Sequence, residues 1–146
     1  MEEAPPVLYT GHHPPGMTLT RFGDGVIYMV ADDGLVLDEK AARELRVQLA
    51  TVTRRPYVVV SDLRGVPYID REARALFADD DNGTVLATAV IAGSEGPIRI
   101  LADRWQADNV VERPVAVFEG PDAALAWGHA TAADLRAAGK LPGEAG

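Results

Sequence analysis

The sequence has no cysteine among its 146 residues. That absence excludes disulfides, thiolate zinc sites, thiol nucleophiles and Cys-ligated iron–sulfur clusters. Lysine is nearly missing as well, with only Lys40 and Lys140 among the 14 basic residues. Acidic residues number 22, so the net charge is −8. A surface of that sign repels phosphate backbones and anionic lipid headgroups, and it predicts neither nucleic-acid nor membrane-surface partners. Long apolar runs are lacking too. The uncharged stretch Asn82–Ser94 is 13 residues, too short to cross a bilayer. The opening Met1-Glu2-Glu3 has neither the basic region nor the apolar run of a secretory leader. A cytoplasmic location without membrane insertion is the expectation. No P-loop and no GxGxxG is present, and no cofactor is expected.

What is present suits one compact domain: 47% hydrophobic and 25% charged residues. Residues 1–16 hold Pro5, Pro6, Pro14 and Pro15 without a hydrophobic period, and read as an extended or mobile arm. Residues 139–146 read as a flexible tail, which leaves 17–138 as the folded domain. Met17–Phe22 and Gly25–Ala31 read as a hairpin around Gly23-Asp24-Gly25. Asp38 is a suitable N-cap for a helix whose stripe is Ala41, Ala42, Leu45, Leu49 and Val52. Arg54-Arg55 favour its C-terminal end and Pro56 stops it. Tyr57–Ser61 is an unbroken run of β-formers, as in a strand covered on both faces. A helix follows from Asp70 to Asp79, with Ala73, Leu76 and Phe77 inward. A strand at Val85–Ala92 leads to a helix from Pro97 with Ile98, Leu101, Ala102 and Trp105 on one stripe. Pro114–Glu119 is the last strand, and Pro121 opens a helix with Leu125, Gly128, Ala132 and Leu135 on its apolar face.

The order β-β-α-β-α-β-α-β-α predicts an α/β domain with a mixed sheet, mostly parallel after its first hairpin. Three strand-to-helix junctions then share one sheet edge: Asp62–Asp70, Gly93–Pro97 and Glu119–Asp122. Open α/β sheets bind ligands at that edge.

Several side-chain sets invite chemical readings. Ala92-Gly93-Ser94-Glu95-Gly96 has a nucleophile-elbow form, and Asp122 and His129 follow in the order of a hydrolase triad. Both of those partners would lie on one helix, which cannot easily present them in relay to Ser94. A helix-capping Ser94 is the simpler reading. His12 and His13 could ligate a metal with His129 or a carboxylate, but their segment fixes no geometry, so no metal site is expected. Asp79-Asp80-Asp81-Asn82-Gly83 resembles a calcium loop with the register broken: counting from Gly83 puts Ala78 and Ala89 where acids belong.

The most informative stretch is Ser61–Ala73: a strand end, the carboxylate of Asp62, a Gly65 turn and the acidic helix cap Asp70. Its structural reading has Asp62 bonding turn amides and Asp70 capping a helix. Its functional reading makes Asp62, Arg64, Asp70, Arg71 and Ser94 a recognition surface. The pattern D-L-x-G-V-x-x-I-D at Asp62–Asp70 resembles the STAS domain of anti-sigma-factor antagonists. Ala87–Gly93 and Val115–Trp127, notably Val117-Phe118-Glu119 and Ala124-Leu125-Ala126-Trp127, are more similar to SpoIIAA-like (STAS/SEC14-type) bacterial proteins, mostly of unknown function. The likeness spans about residues 17–130 and implies a STAS-like fold. Anti-sigma-factor antagonists carry a phosphorylatable Ser directly after the second Asp of the motif. Arg71 and Glu72 stand there instead, so a phosphate switch has no acceptor at this site.

The resemblance therefore implies a non-catalytic regulatory or protein-interaction domain with another protein as its partner. The alternative is a SEC14-like carrier of a small apolar ligand or lipid, with Ile100 lining a groove beside Trp105. A hydrolase using Ser94 comes third. A homodimer is expected, with the arm or the third helix (near Trp105, Val110 and Val111) at the contact. The competing outcome is a monomer whose arm folds back on its own edge strand.

Overall fold

A computed structural model describes residues 5–53, 56–78, 84–108 and 113–141. Among these residues, eight strands and four helices follow in chain order: β1 Val7–His13, β2 Met17–Phe22, β3 Val26–Ala31, β4 Val36–Leu37, α1 Glu39–Val52, β5 Tyr57–Asp62, β6 Tyr68–Ile69, α2 Arg71–Ala78, β7 Val85–Ile91, α3 Pro97–Asp108, β8 Val115–Phe118 and α4 Pro121–Ala137. The main sheet has the order β1-β2-β3-β5-β7-β8. Its first three strands are antiparallel, and β3, β5, β7 and β8 run parallel. A second, two-stranded sheet pairs β4 with β6.

Residues 7–16 are not a free arm. Val7–His13 hydrogen-bonds along β2 as the border strand, from Val7 opposite Phe22 to His13 opposite Met17. Met17–Phe22 is therefore interior, and Met17 and Leu19 are fully buried. Side chains add to the backbone ladder. The Tyr9 hydroxyl and the Gln48 amide oxygen on α1 both bond the His13 ring, at 2.6 and 2.7 Å. His12, on the opposite face, pairs with Asp32 at 2.7 Å. The tail also differs at its start, because Leu141 is buried against Gly25. Gly25 has φ +92° in the β2–β3 turn, a conformation that L side chains rarely adopt, and its bare Cα leaves the space Leu141 fills.

Crossover handedness decides which helix covers which face. The connections β3–α1–β5, β5–α2–β7 and β7–α3–β8 all step in one direction across the sheet, so right-handed crossovers place α1, α2 and α3 on the same side. There Leu45, Ala73, Ile98 and Ala102 meet Met17, Met29, Val59 and Val90. Helix α4 covers the other side, with Ala124 and Ala132 against Val26, Val58, Val60 and Ala89. Gly128 lets it approach closely: a Cβ there would lie 2.8 Å from a Val60 methyl. Every residue of β5 is buried, as the unbroken Tyr57–Ser61 run requires of a strand covered on both faces.

The helix starts follow local chemistry. Asp38 accepts the Ala41 amide at 2.8 Å, and Asp70 accepts the Ala73 amide at 2.8 Å. Ser94 is not a cap. It is exposed, and Gly96 holds the cap position, its carbonyl accepting the Ile100 amide. Arg54-Arg55, Asp79–Gly83 and Val110-Val111 lie outside the described residues, as do the side chain of Phe77 and the tail beyond Leu141. Among the described residues, no helix is long and apolar enough to cross a membrane.

Candidate functional site

The C-terminal edge of the parallel strands carries the residues singled out from the sequence. Asp62 ends β5 on the face toward α4, and its side chain is only 6% exposed. Arg64, one turn residue on, folds back over it. Its Nε donates to Oδ1 at 3.0 Å, its Nη2 to Oδ2 at 2.7 Å, and its backbone amide to Oδ1 at 3.2 Å. This two-pronged pair, mainly through its hydrogen bonds, raises the Arg64 pKa above its ordinary value. Tyr28 on β3 shares the α4 face. Burial first, then the negative charge of Asp62, pushes its hydroxyl above the usual tyrosine range, with a smaller push from Asp122. A shallow depression of about 290 Å³ opens beside Asp33, Asp62 and Arg64.

Asp70, Arg71 and Ser94 do not join this cluster. Asp70 caps α2 on the opposite side of the sheet, and Arg71 is exposed on the first turn of that helix. Ser94 sits on a loop held by Arg99, whose Nη1 donates to the Gly93 carbonyl at 2.9 Å. The structure also separates Ser94 from His129. The His129 ring bonds the Asp24 carboxylate at 2.6 Å and meets Phe22 edge to face, at the opposite end of the sheet. Among the described residues, no group of three His, Asp or Glu side chains could hold a metal ion. Sequence reasoning missed Tyr28: its alternating strand gives no hint that its ladder partner is Val60, two residues before the buried carboxylate of Asp62.

A second site lies beneath α1. Between the sheet and its three-helix side is a cavity of about 340 Å³. Met29, Val59 and Val90 form part of its sheet floor, and Leu45, Leu49, Leu76 and Trp105 reach it from the helices. Ile100, read from the sequence as a groove residue, is instead 62% exposed and outside this lining, because it points away from the Ile98–Trp105 stripe. The floor carries two hydroxyls. Ser61 and Thr88 face the cavity from adjacent strands, since Ser61 pairs with Val90 and Thr88 with Val59 in the parallel register. Each residue is 7% exposed. Arg46 on α1 and Arg113 before β8 also line the space.

This arrangement, a mixed sheet with three helices on one face and one on the other, is similar to a SpoIIAA-like fold. A crystal structure of an uncharacterized protein from the DUF3478 family, with a SpoIIAA-like fold, from Shewanella loihica PV-4, is similar with a TM-score of 0.55. The match covers 88% of this chain and 98% of that one at 16% identity. The chain itself belongs to the family described as a domain of unknown function, DUF7793, which matches residues 20–131. No curated protein matches it.

Proposed function

We propose that this domain is a non-catalytic binding module whose ligand is a small, largely apolar molecule held between the sheet and α1–α3. The observation that carries this reading is the 340 Å³ cavity. Protein interiors are packed to near-crystalline density, and voids larger than a water are few. Small-molecule sites start at about 300 Å³ and are mostly apolar with a few placed polar groups. An engineered apolar cavity of about 150 Å³ holds one benzene, so this space suits roughly a dozen heavy atoms. The Asp62–Arg64 pair supports the same choice, because each member already satisfies the other.

A neutral apolar fluorophore of matching size such as 1-aminonaphthalene tests this. Saturable one-to-one binding is expected, and Ala50→Phe should weaken it by filling the entrance from an exposed position of α1. Absence of saturable binding overturns the reading.

A second reading, contact with protein, is favoured by exposed apolar groups. Val7, Leu8 and Tyr9 on the border strand β1 are 56%, 46% and 37% exposed, and an open strand edge is a template for pairing. Val36 and Tyr68, paired across the small β4–β6 sheet, are exposed near Arg71. Under this reading the chain forms a homodimer through β1. Light scattering at micromolar concentration should give twice 15.6 kDa for the full chain and a monomer for Leu8→Lys. A full chain at 15.6 kDa refutes the homodimer.

A further inference from the structure

The described lining of the cavity differs in composition from the protein as a whole. The chain carries 22 acidic residues and a net charge of −8. Yet among the described lining residues there is no aspartate and no glutamate, while two arginines, Arg46 and Arg113, are present. Arg46 is half-buried on α1 and makes no ion pair among the described residues. An arginine at a cavity wall without a carboxylate partner is available to a bidentate anion from outside the chain.

The floor adds donors. Ser61 and Thr88 are each 93% removed from solvent, and neither hydroxyl has a protein partner among the described residues. Neither is sealed in, so both open onto the cavity. Buried polar groups are nearly always hydrogen-bonded, and two unpaired hydroxyls facing a void are sites for an incoming acceptor. Arg113 enters the lining from the start of β8, and Thr53 and Thr84 from the segments that lead out of α1 and into β7, so all three lie at the N-terminal end of the parallel strands. Leu37 and Leu63 close the other end.

We infer that the ligand of this cavity is an amphipathic carboxylate: one anionic head facing Arg46, with the Ser61 and Thr88 hydroxyls as further donors, and an apolar body of about ten carbons along the floor. This rests on the proposed ligand-binding function and specifies the chemistry of that same site. Neutral or cationic molecules of equal length would leave the arginine uncompensated.

Calorimetric titration of the full chain with decanoate, decan-1-ol and decyltrimethylammonium separates the two claims. Decanoate should bind at least tenfold more tightly than decanol, and the cation should not bind measurably. Losing a charged hydrogen bond corresponds to roughly a ten- to hundredfold change, so Arg46→Gln should weaken decanoate by that factor and leave decanol within twofold. Arg46→Lys, which keeps the charge, should retain most of the preference. Thermal unfolding of each variant near the wild-type midpoint ensures that a lost signal is lost binding. Equal affinity for decanoate and decanol, or an Arg46→Gln variant that binds decanoate as the wild type does, overturns the inference while leaving an apolar binding site standing. No binding of any of the three overturns both.

Discussion

Asp70 shows how one carboxylate fixes an element without joining a site. Its Oδ1 takes the Ala73 amide, one of the four amides a helix start leaves unpaired, and its own amide bonds the Leu37 carbonyl on β4. Asp70→Ala should therefore cost about 0.5–2 kcal/mol in a denaturant titration. A smaller loss would mean that water replaces the cap. Tyr28 makes a second residue-scale prediction, in alkaline solution. Its folded pKa is raised, so the unfolded chain gives up the phenolic proton at about pH 10 while the folded chain keeps it. The unfolded state then binds fewer protons, and stability falls as pH rises past about 10. Below that pH the contribution is fully present. An ultraviolet titration should show a late-ionising phenol that is lost in Tyr28→Phe, and the fall in stability should be shallower in that variant. The Asp62–Arg64 turn was legible in the sequence because Asp, Gly and the preceding β-run are local signals. The Tyr28 environment was not, since it depends on which strands become neighbours.

At the scale of elements, strong periodicity gave reliable positions. The stripe Leu125, Gly128, Ala132 and Leu135 does face the sheet, and Gly128 marks the closest approach. Gly128→Ala gains about 1 kcal/mol of helix propensity but meets about 1–3 kcal/mol of overpacking against Val60. The expected net is a loss of up to ~2 kcal/mol, and a stabilised variant would show that α4 can lift from the sheet without cost. Elements without burial were the illegible ones. Strand β1 has mostly exposed residues, so no alternation of apolar side chains announces it; its order comes from backbone pairing and from the His12 and His13 bonds. β4 and β6 are two residues each, shorter than any period. The cavity has no sequence signature at all, because a void is set by what several elements fail to fill.

The whole molecule combines an acidic exterior with a cavity whose described lining holds arginines and no carboxylates. Double-stranded DNA should therefore not bind at micromolar concentration in physiological salt, and a fluorescence-anisotropy titration showing such binding with a steep salt slope would overturn that expectation. The two faces of the sheet also differ in when they can be covered. On one face α1 follows β3, α2 follows β5 and α3 follows β7, so each crossover brings its own lid as it is made. On the other, Val26, Val58, Val60 and Ala89 all precede α4, the single helix that buries them. During synthesis that face stays bare until Pro121–Ala137 has emerged, and it is apolar and sheet-like, the kind of surface that associates with other unfinished chains. The nascent protein thus has a long interval in which β3, β5 and β7 lack a cover on that face, and the arrival of α4 ends it.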